Sequence, residues 1–146
     1  MKEFEITYGI FTDLLEPLKH KVELMMGEDR VCVMVIDEIQ IADQVDFEKH
    51  KKQFYGKVTL GNNNEIGTHV LVVLIRGIKA PWKQVIAAHV TGKSTTAELI
   101  KGFLIEVISF LNERGIRVPY IISDMGNSNR RTWTSVEKSS PEFFYN

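Results

Sequence analysis

At 146 residues, 44% hydrophobic and 25% charged, the chain has the length of one domain and the composition of an ordinary soluble globular protein with a buried core. A net charge of −1 excludes nucleic-acid binding through a global positive field, so such binding needs a local basic patch. The single cysteine, Cys32, excludes intrachain disulfides and cysteine-based zinc sites. Together with the lack of a signal-peptide pattern at Met1–Glu5 and of any apolar run longer than Val70–Ile75, it leads us to expect a cytosolic or nuclear protein that does not enter a membrane.

Phe11, Leu14, Leu15, Leu18, Val22 and Met25 recur at three- and four-residue steps and predict an amphipathic helix ending near Gly27. Val31–Ile36 reads as the first strand. Residues 38–67 form a polar insert, with strand-like pieces at Ile39–Ala42 and Tyr55–Leu60 around a charged loop and a turn at Gly61-Asn62-Asn63-Asn64. Thr68–Ile75 is a near-continuous apolar strand, which implies cover on both faces. After the break at Ala80-Pro81, Lys83–Val90 is a further strand. Leu99, Ile100, Phe103, Leu104, Val107, Ile108 and Leu111 then share one helical face, with Thr95-x-x-Glu98 as a capping box and Gly115 as a stop. Pro119–Ser123 is the last strand, and Asn127–Glu137 reads as a helix with Trp133 inward.

A strand meander followed by a helical crossover predicts an α/β fold with a mixed sheet, its last strand parallel to its first. Asp37 and Asp124 each close an apolar strand. If those two strands are neighbours, both aspartates face one cavity at the edge where open α/β sheets bind ligands. Val31, Val33, Val35 and Asp37 share a face by alternation, whereas Glu38 points the other way. A strand-end aspartate is commonly only a cap or ion-pair partner. Two on one edge suit a hard divalent cation, Mg²⁺ or Mn²⁺, and a metal-assisted phosphodiester reaction.

Other patterns compete. Ala87-x-x-x-x-Gly92-Lys93-Ser94 lies between a strand and a helix and matches a relaxed phosphate-loop pattern, which implies a nucleotide-binding protein; a turn and a capped helix explain it equally. Lys49-His50-Lys51-Lys52, beside Phe47 and Phe54-Tyr55, is either a solvated loop or a contact to a DNA backbone. His20, His69 and His89 lack ligand-like spacing and read as structural.

Val31-Cys32-x-x-x-x-Asp37-Glu38-Ile39, Phe54-Tyr55-Gly56-Lys57-Val58-Thr59-Leu60-Gly61, His69–Gly77, Trp82-Lys83-Gln84-Val85 and Ile122-Ser123-Asp124-Met125-Gly126-x-x-Asn129 together resemble the P-element transposase family, including its THAP-domain-containing homologues. The resemblance runs from about Leu18 to Trp133. It implies an RNase H-like fold, a nuclear location and a cut-and-paste DNA transposase with a DDE-type triad and Mg²⁺, in which Asp37 is the first acid and Asp124 the second. The family's third acid, a glutamate, lies further downstream; Glu137 and Glu142 do not match its context. The expectation is therefore a partial catalytic domain, incomplete on its C-terminal side. Its partners would be transposon-end DNA and either the downstream part of the transposase or a second copy. The chain would be inactive alone, or else a domesticated interaction module.

Overall fold

The chain runs through β1 (Gly9–Ile10), a 3-10 turn (Thr12–Leu14), α1 (Leu15–Glu23), a second 3-10 turn (Gly27–Arg30), β2 (Val31–Gln40), β3 (Asp46–Glu48) and β4 (Gln53–Tyr55). It continues through β5 (His69–Gly77), β6 (Lys83–Thr91), α2 (Ala97–Glu113) and β7 (Arg117–Ser123). This is a computed structural model that describes residues 7–42, 45–49 and 53–123. The predicted helix at 127–137, with Trp133, lies outside the described residues.

Five strands form one sheet in the order β1-β6-β5-β2-β7. The β2–β5 and β5–β6 pairs are antiparallel, the first across the long insert that carries β3 and β4 and the second across a short connection, and α2 carries the chain back across β5 and β2 to place β7 parallel to β2. The expected mixed sheet, with its last long strand parallel to its first, is the one observed. β7 is an edge strand among the described strands, which suits Pro119, a residue with no N–H to give a ladder. The β2–β7 register shifts between Val31/Arg117 and Val33/Tyr120, one residue longer on the Pro119 side.

The core lies on one face of this sheet. Cys32, Met34 and Ile36 of β2 and Leu71, Val73 and Ile75 of β5 pack in one cluster with Leu18 and Val22 of α1 and Ile100, Phe103, Leu104, Val107 and Leu111 of α2. Burial of that apolar area drives both helices onto this face, at about 25 cal/mol for each Å² removed from water. Trp82 closes one end, its indole Nε1 donating to the Asp29 carbonyl at 3.1 Å.

Several boundaries move from those expected. The first helix begins only at Leu15, after a 3-10 turn. β2 does not stop at Ile36 but runs to Gln40, because Asp37–Gln40 keep pairing with β5 from Val72 to His69. In the polar insert the described strands are β3 and β4, which form a separate hairpin; of the expected strand from Tyr55 to Leu60, Tyr55 ends β4 and Lys57 makes an isolated bridge to Ile66. The N-cap of α2 is Thr96, whose hydroxyl accepts from the Leu99 amide, and not Thr95. The Thr95 hydroxyl instead donates to the Leu60 carbonyl at 2.7 Å. Gly115 does stop α2. At φ +80° it allows the Gly115 amide to reach the Asn112 carbonyl and the Ile116 amide the Leu111 carbonyl, both at 3.0 Å, a Schellman closure that buries Ile116.

Candidate functional site

Parallel pairing of β2 with β7 runs through Val33/Tyr120, Met34/Ile121 and Val35/Ile122 and ends at Ile36/Ser123. Asp37 is the next residue on β2. It is exposed and lies opposite Val72 of β5. Its position on the strand puts it on the face of Val33 and Val35, away from the helices, while the half-buried Glu38 falls on the helix side. This is the separation expected of the Asp37-Glu38 pair. Asp124 follows Ser123 in sequence and lies outside the described residues. Among those residues, no group of three or more His, Cys, Asp and Glu side chains is arranged to hold a metal ion.

The same end of the sheet carries the turn of Gly92-Lys93-Ser94, which follows β6. Here the chain supplies its own anion. The Glu65 carboxylate accepts from the Lys93 amide at 2.5 Å (Oε1) and from the Ser94 amide at 2.9 Å (Oε2). A Cβ on Gly92 would stand 2.8 Å from Glu65 Oε1, so the bare backbone makes room for that carboxylate. The Ser94 side chain, the Ser94 and Lys93 amides and the Lys93 charge hold the Glu65 carboxyl below its ordinary value of 4.5, against an opposing desolvation contribution. The Ser94 hydroxyl also accepts from the Asn62 amide at 2.9 Å. The amides a phosphate loop would offer to a nucleotide are thus satisfied from within, and the nucleotide-binding reading is not favoured. Glu65 was not legible as part of this turn: its partners are 28 and 29 residues away, and no local pattern marks the contact.

The histidines are structural where they are ordered by contacts. His89 Nδ1 pairs with the Thr59 hydroxyl at 2.9 Å, and its ring meets Phe103 edge-on at 4.5 Å between centroids. Burial pushes its pKa below the usual 6.5, with Glu106 opposing. His69 Nδ1 pairs with the Thr68 hydroxyl, and the exposed His20 lies beside Glu23.

A mixed five-stranded sheet with one parallel pair, reached by a helical crossover and packed on one face by two helices, is an RNase H-like arrangement. The family model for the TNP-like, RNase H N-terminal domain matches residues 6–137, and the chain belongs to that family. It is 23% identical over 117 residues to the Transposable element P transposase of Drosophila melanogaster, an alignment covering 80% of this chain and 14% of that protein. A solved structure, the Drosophila P element transposase strand transfer complex, superposes with a TM-score of 0.68 at 21% identity. That match covers 91% of this chain and 26% of the solved one, and shows the shared fold. The chain therefore spans a small part of the length of the transposases it matches.

Proposed function

We propose that this chain is the RNase H-like part of a DDE-type DNA transposase, in which Asp37 and Asp124 are two acidic ligands of a Mg²⁺ or Mn²⁺ centre. The observation that carries this reading is the parallel register that ends at Ile36 and Ser123, each of which is followed in the sequence by an aspartate. Carboxylate oxygens are the donors such hard cations prefer. A divalent ion bound there would stabilise charge on the oxygens of a DNA phosphodiester. The chain's own contribution is the pairing of β2 with β7, whose ladder sets Ile36 beside Ser123 at a strand spacing of about 4.8 Å. A DNA substrate makes the nucleus the working compartment. Two carboxylates alone hold a divalent ion weakly and leave it poorly positioned, so residues 1–146 by themselves should bind metal weakly and show no measurable cleavage of DNA.

Manganese titration followed by calorimetry or paramagnetic relaxation tests the site. Binding by the parent chain, lost in both Asp37→Asn and Asp124→Asn and kept in Glu38→Gln, is the expected result. Binding unchanged in Asp37→Asn would overturn it.

A further inference from the structure

We propose that a row on the helix-free face of the sheet, Lys83, Arg76 and Tyr120 with Arg117 beside them, holds a DNA backbone that runs on to Asp37; this rests on the DNA-binding reading above. Val33 of β2 pairs with Arg76 of β5, and Arg76 pairs with Lys83 of β6. On its other side Val33 pairs with Tyr120 of β7. Paired residues share a face, so these four positions cross the sheet in one line, about 14 Å over three strand spacings. Arg117 flanks the line, opposite Val31. The face is the one Asp37 occupies, away from α1 and α2.

Two observations point to an anionic partner. Arg76 and Lys83 stand directly opposite each other on antiparallel strands, where like charges repel. Both are exposed, as is Arg117, and none of the three makes an ion pair with a described residue. Glu28, at the same end of the sheet, is taken by Lys79. The second observation lies in β7. The extra residue at Pro119 breaks the alternation, so Val118 and Ile121 both pack against the core while Arg117 and Tyr120 both face outward. Strict alternation from Arg117 would turn Tyr120 inward; instead it is 66% exposed.

A solvated strand end accounts for one exposed cation, but not for an unrelieved cross-strand pair with a tyrosine in line and a third cation beside it. Lysine and arginine neutralise phosphates by releasing counterions, and a tyrosine hydroxyl donates to phosphate oxygens. Asp37 lies four residues past Val33 on the same face, about 13 Å, which is the rise of about four base pairs. The paired positions between them carry Val35, Leu74, Val85 and Ile122, and no acid that would repel the backbone. Of the basic stretch Lys49-His50-Lys51-Lys52, only Lys49 lies among the described residues, whereas every member of this row does.

The test is binding of a fluorescein-labelled duplex to the full chain across a salt series. Replacing Arg76 and Lys83 together by Gln should make the slope of log affinity against log salt shallower by about 2. Arg117→Gln alone should make it shallower by about 1. Tyr120→Phe should weaken binding about three- to tenfold at every salt concentration, with the slope unchanged. Lys19→Gln removes an exposed charge from α1, on the covered side of the sheet, and should match the parent chain. If the parent binds and the row variants match it, or Lys19→Gln loses as much as Arg117→Gln, the row is overturned and the DNA reading stands. If the parent chain does not bind duplex at all, the DNA reading fails and the row falls with it.

Discussion

Two faces of one strand behave differently in this molecule. Along β2, Cys32, Met34 and Ile36 are sealed beneath the helices, whereas Val31, Val33 and Val35, just as apolar, are only half-buried. The same division runs along β5, where Leu71, Val73 and Ile75 are fully buried and Val70, Val72 and Leu74 are not. It ends on β7 with Tyr120 at 66% and Ile122 at 54% exposure. Hydrophobicity alone does not decide burial here; what decides it is which face α1 and α2 cover. The covered face carries the stability, and the other face carries Asp37.

The largest test of this division is a pair of neighbouring truncations. Leu71→Ala should cost about 2–5 kcal/mol and Val72→Ala about 1 kcal/mol, measured by urea unfolding. Equal losses would break the comparison. Gly115→Ala should remove about 1–2 kcal/mol by forcing an alanine into a left-handed conformation at the end of the covering helix, again read by urea unfolding. Ile122→Ser, on the half-open face, should stay within about 0.5 kcal/mol. A loss of several times that would show that residues beyond Ser123 pack against it, and would sharpen the division into one between two differently covered faces.

The smallest effect is a pH dependence on the covered face. His89 has a lowered folded pKa, so the unfolded chain binds its proton first. The stability His89 contributes is full above the unfolded value of 6.5 and declines as pH falls below it. The urea midpoint should therefore drop between about pH 7.5 and about pH 5.5, and by less in His89→Gln. Identical pH profiles for the two proteins would assign the acid sensitivity elsewhere. Glu65, with its own lowered pKa, loses its contribution only further into acid, as pH falls through its folded value below 4.5.

The long apolar runs made the sheet and its crossover legible, because only a buried strand or helix can use Val31–Ile36, His69–Gly77 or the Leu99–Leu111 face. Boundaries failed where a neighbour and not local composition set them. Asp37–Gln40 look too polar for a strand, yet the β5 ladder extends through them. By sequence Thr95 is the better cap, with Glu98 three residues on, but its hydroxyl is taken by the Leu60 carbonyl, 35 residues away, and Thr96 caps instead. Near the candidate site, the face on which Asp37 lies and the parallel pairing of β7 with β2 were legible from alternation and strand order. The occupation of the Lys93 and Ser94 amides was not, since it depends on a turn formed by a separate part of the chain.

The placement of Cys32 gives the fold an internal clock. Its side chain has no solvent exposure, and burial raises the thiol pKa to about 12, so no reactive thiolate is present in the folded chain at neutral pH. Modification by a thiol reagent can proceed only through molecules in which β2 has parted from the helices above it. As this is the chain's only cysteine, the labelling rate in native buffer counts those openings directly, without denaturant and without an introduced probe.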